Sequence, residues 1–340
     1  MTRQWRTLRS LAVMVTLAAW WVGGATPAQA YLKFGTVIDG RTVTLKWAQV
    51  PVHYRVYEQG VDGVTPPAFR DAVARAFATW ENVPTSGIRY AFDGFTGTAR
   101  PGDEDFTNVL GFDNRPDLDR VLASTSLLVD EETGNLVESD IFFNSAFTWS
   151  VAAAGERGRF DLESIALHEI GHFSGLGHSA LGETELVDGG RRVLAAEAVM
   201  FPIAFGPGNI QERQLRADDI AGISDLYPDG NVLETTGSLS GKVTLNGLPI
   251  YGAHVVAFNP KTGVLIGNFT LNGQGQFSMG GLSPGAWVVR VEPIDDADVT
   301  SFLDEPELVS LDFRATIHPR LVIVPRRGDS GQIAIAVDPQ

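Results

Sequence analysis

The stretch that most constrains the fold of this chain is residues 165 to 179, IALHEIGHFSGLGHS, which contains three of its six histidines. On a helix, His168 and His172 lie one turn apart on the same face, so both imidazoles can reach one ion. Glu169 projects from the next position, where its carboxylate can contact water on that ion instead of the ion itself. The spacing therefore predicts a helix that carries two metal ligands and one catalytic carboxylate.

The third histidine of the segment follows a glycine. Gly175 can adopt the left-handed backbone conformation that ends a helix and turns the chain, which lets His178 return as a third ligand. Three neutral imidazoles leave one position open on a tetrahedral zinc ion, as in catalytic sites. We therefore predict one catalytic Zn²⁺ held by His168, His172 and His178. The alternative is that these are solvated or core histidines on a capped helix.

A methionine lies downstream of the histidines. Residues 197 to 202 read EAVMFP, which places Met200 in a short apolar turn followed by Pro202. This histidine spacing with a later methionine turn is the signature of the metzincin zinc peptidases. We predict that Gly175, Met200 and Pro202 give structural support, with Met200 as a hydrophobic floor beneath the ligands and not as a ligand.

The first thirty residues have the three-part layout of a secretory signal peptide. Arginines come first, an apolar run from Leu11 to Val22 follows, and the segment ends with small residues at Ala30. The apolar run is short for a membrane span of about 20 residues. We predict cleavage near Ala30 and a secreted protein, extracellular or periplasmic, with no membrane anchor afterwards.

The cysteine content and net charge of the chain exclude some ligands and binding partners. The chain has no cysteine, which excludes disulfides and thiolate metal ligands. Its formal net charge of −15 argues against nucleic acid as a partner.

The hydrophobic pattern predicts two domains after the signal peptide. Helical spacing of apolar residues predicts a helix from about Pro67 to Asn82, and short β-like runs follow up to Ser150. The residues between His178 and a last helix near Leu215 are interpreted as a polar loop. We predict a signal peptide at 1–30, a protease domain at 31–233 and an all-β sandwich at 234–340, because strands at regular spacing fill that end.

From about Val43 to Tyr227 the chain resembles the matrixins, the metzincin branch that includes the matrix metalloproteinases. The resemblance implies an α+β catalytic domain, with a twisted mixed five-stranded sheet, three helices and zinc at the floor of a cleft. It also implies an edge strand that pairs with extended peptide substrates. The matching segments are AFATW, VLASTSLLV (the edge strand), FFNSAFTWS, HEIGHFSGLGHS, VMFP and LRADDIAGISDLYP.

Several positions depart from the family pattern. Ser124 and Phe142 stand where the resemblance implies histidine ligands of a second, structural zinc, so that zinc is predicted to be missing. Phe147 stands where an acidic calcium ligand is implied, which speaks against calcium without excluding it. Latency through a cysteine switch is excluded because the chain has no cysteine. Ala204 replaces a tyrosine, which leaves the shape of the specificity pocket open.

The C-terminal region resembles the carboxypeptidase regulatory-like β-sandwich, through SGKVTLNGLPIYGAHVVAF and GQFSMGGLSPGAWVVRV. The functional prediction is a zinc endopeptidase acting on proteins or peptides, with Glu169 as general base. Two alternatives stay open: a metzincin branch of narrower substrate choice, and a non-catalytic adhesion or matrix-binding protein with a vestigial zinc site.

Overall fold

The computed structural model describes residues 8–11, 33–38, 41–188, 190–303 and 305–340. The fold is mixed α+β, with few helices and many strands, as predicted. Up to residue 235 the elements are β1 (Leu8–Leu11), β2 (Gly35–Ile38), β3 (Arg41–Thr44), β4 (Lys46–Trp47), β5 (Val52–Tyr57), α1 (Pro66–Glu81), β6 (Tyr90–Thr96), β7 (Val109–Asp113), β8 (Ala123–Asp130), β9 (Asn135–Asn144), β10 (Trp149–Ser150), β11 (Phe160–Asp161), α2 (Leu162–Phe173), β12 (Gly182–Val187), β13 (Gly190–Ala196), α3 (Ala217–Leu226) and α4 (Val232–Thr235).

The C-terminal β region, residues 237–340, contains the remaining elements. They are β14 (Gly237–Leu245), β15 (Leu248–Pro249), β16 (His254–Phe258), β17 (Leu265–Phe269), β18 (Gln276–Leu282), β19 (Gly285–Glu292), β20 (Thr316–Ile317), β21 (Val322–Val324), β22 (Asp329–Val337) and two 3-10 turns at Val299–Ser301 and Pro306–Leu308.

The first sheet has five main strands in the order β8-β9-β7-β5-β6. β5 runs parallel to both β6 and β7, and β7 runs parallel to β9. β8 is antiparallel to β9 and lies at one side of this set. Two short strands extend the five that were predicted, because β1 pairs with β8 and β4 pairs with β9.

Two helices pack over this sheet and position the histidine segment. α1 begins after Thr65, whose side chain caps it, and buries a face of Phe69, Val73 and Phe77. The buried indole of Trp80 donates a hydrogen bond to the main-chain oxygen of Leu167 on α2, at 2.9 Å. A polar atom of a buried ring needs such a partner, so this bond fixes α2 against α1.

The interpretation of the residues after His178 as a polar loop was wrong. The structure has an antiparallel hairpin there, β12 with β13. The sequence TELVDGGRRVL contains a hairpin signal, since the apolar pairs Leu186-Val187 and Val193-Leu194 flank the turn-forming residues Asp-Gly-Gly. After α3 the chain forms the single helical turn α4.

The C-terminal β region forms two sheets around a common core. One contains β15, β14, β18 and β22, and the other contains β17, β16, β19, β20 and β21. Residues of both sheets share one buried cluster, with Val243 and Phe277 from the first and Val255 and Val289 from the second.

The predicted signal peptide falls almost entirely outside the described residues. The exception is β1, Leu8–Leu11, which lies antiparallel against Leu127–Asp130 of β8. Among the described residues, the structure contains no helix of the length and apolarity required to cross a bilayer.

Candidate active site

The predicted histidine segment folds as helix α2, a turn at Gly175 and a stretch that brings His178 back to the helix. Asp161 caps the start of α2, and its carboxylate accepts a hydrogen bond from the main-chain nitrogen of Ser164 at 2.9 Å. Gly175 has φ +100°, the left-handed region that was predicted. A β-carbon at this glycine would also lie 2.5 Å from the main-chain oxygen of Leu45, so a side chain cannot be accommodated.

The three histidines converge as the spacing predicted. The Nε2 atom of His172 lies 3.1 Å from Nε2 of His168 and 3.1 Å from Nε2 of His178. Two nitrogens on a tetrahedral zinc ion with bonds of about 2.0 Å lie about 3.3 Å apart. The trio therefore has the donor type and spacing that fit a zinc ion.

Each imidazole is oriented through its other nitrogen. The Nδ1 atom of His168 lies 2.7 Å from the main-chain oxygen of Val199, and that of His172 lies 2.8 Å from the oxygen of Leu176. The Nδ1 atom of His178 lies 2.5 Å from the oxygen of Ser301. Because a carbonyl only accepts, each Nδ1 carries the proton and each Nε2 keeps a free lone pair for a metal.

Burial keeps these rings neutral. It lowers the pKa of His178 to about 3 and holds the pKa values of His168 and His172 below the usual value for histidine. Neutral imidazole is the form that binds a metal ion.

Glu169 is buried between α2 and β8. Its Oε2 accepts a hydrogen bond from the hydroxyl of Thr125 at 2.6 Å. Burial raises the pKa of Glu169 to about 7, while the Thr125 bond opposes that rise. A carboxylate with a pKa near neutrality can both accept and release a proton at physiological pH.

Met200 packs directly beneath the ligand-bearing helix. Gly171 lies between His168 and His172 in sequence. The sulfur of Met200 occupies the space that a side chain at Gly171 would need. Asp219 at the start of α3 holds this turn, because its carboxylate accepts hydrogen bonds from the main-chain nitrogens of Val199 and Met200 at 2.9 and 3.2 Å.

The remaining predicted positions make other contacts. Pro202 is partly exposed in the turn that follows Met200. Ser124 and Phe142 are paired across β8 and β9. Phe147 packs edge-on against the ring of Phe160.

Sequence reasoning missed the groups that orient the site. Main-chain oxygens such as those of Val199 and Ser301 leave no signal in residue type. Thr125 could have been found from its place in the predicted edge strand. The pair Asp218 and Asp219 could have been found as two acidic residues at the start of a helix, where the helix dipole favours them.

Two histidines on a helix that packs against a mixed sheet, a third histidine after a glycine turn, and a methionine packed against that helix define a metzincin-type metal centre. Comparison with known proteins narrows the class. Residues 46–228, more than half of the chain, match the family model described as matrixin. The chain belongs to the matrixin family, and residues 46–228 are its matrixin region.

Individual relatives agree with this assignment. The chain is 32% identical over 178 residues to Metalloendoproteinase 4-MMP of Arabidopsis thaliana, which covers 48% of this chain and 41% of that protein. It is 29% identical over 169 residues to the hatching enzyme of Paracentrotus lividus, covering 49% and 24%. The chain thus spans less than half the length of these relatives.

Among solved structures, the Bacillus anthracis TIE protein aligns at 13% identity and a TM-score of 0.21, over 31% of this chain and 17% of that one.

Proposed function

We propose that this protein is a secreted zinc-dependent endopeptidase that hydrolyses peptide bonds in extended protein substrates. The observation that carries the proposal is the convergence of three imidazole Nε2 atoms, those of His168, His172 and His178, next in sequence to a buried glutamate. These three imidazoles would hold a zinc ion, which would supply Lewis-acid polarisation of the scissile carbonyl and make water a better nucleophile.

Glu169 acts as the general base and then as the general acid. Its carboxylate takes a proton from the attacking water and later delivers that proton to the leaving amine nitrogen. The hydroxyl of Thr125 keeps the carboxylate oriented, because it donates to Oε2 at 2.6 Å. Burial of this carboxylate raises its pKa above the usual value for glutamate, which makes it a stronger proton acceptor.

Substrate lies as an added strand along β8. β8 pairs with β9 on one side, and among the described residues its Ala123–Ser126 half has no strand on the other side. The second half already accepts the antiparallel segment Leu8–Leu11, which supports the idea that this edge binds extended chain. Main-chain hydrogen bonds of this kind bind peptides without requiring a particular sequence.

The domain plan belongs to the same proposal. We place a signal peptide at residues 1–30, the protease domain at 31–233 and a β-sandwich accessory domain at 234–340. The two sheets of the C-terminal β region, which share one core, support the last assignment. Export is tested by N-terminal sequencing of protein recovered outside the cytoplasm, which should begin near Tyr31.

The decisive experiment compares the purified protein with its Glu169→Gln variant. The native protein should contain one zinc per chain and digest casein, a chelator should abolish digestion, and added zinc should restore it. Glu169→Gln should retain zinc and lose about 10²-fold or more in rate, because the proton acceptor is gone.

Two outcomes would contradict the proposal. A Glu169→Gln protein with native activity would remove Glu169 from the mechanism. A native protein that binds stoichiometric zinc without cleaving casein or a peptide library would favour the adhesion or matrix-binding alternative.

A further inference from the structure

The third imidazole of the site is oriented by a different part of the chain from the other two. His178 Nδ1 donates to the main-chain oxygen of Ser301, in the 3-10 turn Val299–Ser301 of the C-terminal β region, at 2.5 Å. The partners of the other two rings, Val199 and Leu176, both lie in the matrixin region. The histidine motif thus supplies the ligand, and the C-terminal β region supplies the group that aims it.

An apolar cluster fixes this turn in place. Phe302 and Leu303, which follow Ser301 directly, are buried together with Ala180 and Phe269. The rings of Phe302 and Phe269 lie 5.7 Å apart. Ala180 is two residues beyond His178, so the cluster joins the turn to the segment that carries the third ligand.

A buried carboxylate makes a second connection. Asp218 Oδ2 accepts a hydrogen bond from the hydroxyl of Ser179 at 2.7 Å, and its Oδ1 accepts one from the main-chain nitrogen of Gly267 on β17 at 2.9 Å. A β-carbon at Gly267 would lie 3.0 Å from Cγ of Leu181. The residue after His178 is therefore tied to β17 through one side chain, in a closely packed contact.

The hairpin after His178 adds a third connection. The main-chain nitrogen of Thr184 donates to Asp296 Oδ1 at 2.8 Å, and its hydroxyl donates to the main-chain oxygen of Asp296 at 2.7 Å. Arg191 donates to the oxygen of Asp295 at 2.7 Å. These acceptors lie in the loop that leads to the Val299–Ser301 turn, so the hairpin and the turn are held together.

We propose that the C-terminal β region completes the metal site, with the Ser301 carbonyl as the positioning group for His178. A carbonyl on Nδ1 fixes the tautomer and the direction of the ring, and such partners affect metal affinity about 10- to 100-fold. Docking of this region therefore sets how tightly the trio holds zinc. The inference rests on the proposed function, because it assigns a partner to one of its metal ligands.

The test is a Phe302→Ala substitution in the full chain, with Phe313→Ala as its matched control. Both remove a buried phenylalanine ring from the C-terminal β region, but Phe313 lies in the core cluster shared by its two sheets, which contains neither Ala180 nor Phe302. Zinc affinity is measured by chelator competition under conditions where circular dichroism shows native folding for both variants.

Phe302→Ala should weaken zinc binding about 10-fold or more and change the visible absorption spectrum of the cobalt(II)-substituted protein. Phe313→Ala should leave both unchanged. Gly267→Val provides a second variant, because its side chain would press against Leu181 and against Nε2 of His254, each 3.0 Å from the added β-carbon, and it should reproduce the Phe302→Ala result.

Equal zinc loss in Phe302→Ala and Phe313→Ala would overturn the proposal, because the effect would then come from general loss of stability. Native zinc affinity and a native cobalt spectrum in both Phe302→Ala and Gly267→Val would also overturn it. These outcomes differ from failure of the proposed function, in which the unsubstituted protein itself binds no zinc or cleaves no peptide.

Discussion

The two halves of the candidate metal site are held in different ways. The half on α2, with His168 and His172, takes its hydrogen-bond partners from the matrixin region. The half after the glycine turn takes the partner of His178 from Ser301, 123 residues further along the chain. A local motif can therefore determine which atoms face a metal while the orientation of one of them depends on distant sequence.

The adjacent buried carboxylates of Asp218 and Asp219 also hold one half of the site each. Asp219 accepts from main-chain nitrogens of Val199, Met200 and Arg216, and so serves the matrixin half. Asp218 accepts from Ser179 and Gly267, and so serves the half that contacts the C-terminal β region. The pair offers a matched way to perturb one half at a time.

The largest effect is expected from Asp219→Ala. The substitution leaves the buried main-chain nitrogens of Val199 and Met200, and the partly buried one of Arg216, without their acceptor. Each buried group left unpaired costs about 1 kcal/mol or more. The free energy of unfolding should fall by about 2 kcal/mol or more, and zinc affinity should fall because the oxygen of Val199 orients His168. Urea unfolding and chelator competition measure the two effects. Unfolding at the native urea midpoint would break the assignment of Asp219 as the anchor of the methionine turn.

A smaller effect is expected from Thr125→Val, which removes one hydroxyl and keeps the side-chain shape. Glu169 loses its donor at 2.6 Å, so kcat should fall about tenfold, equivalent to about 1.4 kcal/mol. Zinc content should stay at one per chain, because no ligand is touched. Thr79→Val on α1, whose hydroxyl bonds the oxygen of Arg75 in its own helix, is the control. A simultaneous loss of zinc would instead place Thr125 among the groups that hold the metal.

Periodicity and motif spacing predicted much of the matrixin region. The helix expected at Pro67–Asn82 spans Pro66–Glu81, because its apolar spacing and initial prolines are local signals. The convergence of the three Nε2 atoms followed from helix geometry and one glycine. Both features depend on residues close in sequence.

Features that depend on tertiary contacts could not be predicted. Every residue carries a carbonyl, so nothing in the identity of Ser301 indicates that its oxygen faces His178. The five-stranded sheet was expected, but its extension by Leu8–Leu11 depends on a pairing between segments more than a hundred residues apart. The hairpin after the third histidine was different, because the turn-forming sequence Asp-Gly-Gly between two short apolar runs was visible in the sequence and was not recognised.

The smallest effect is expected from Asp218→Asn. This substitution should change how the free energy of unfolding depends on pH. Burial, followed by the charge of neighbouring Asp219, raises the pKa of Asp218 to about 7 from 3.8. A raised pKa in the folded state means that its stabilising contribution is full below pH 3.8 and is lost as the pH rises towards 7. Asparagine has no such titration and can still accept from Gly267, so the variant should lose less stability than the native protein between pH 5 and 7. Urea unfolding at several pH values measures the two slopes. Identical slopes would mean that Asp218 stays ionised in the fold, and the contact between the matrixin region and β17 would then be independent of pH.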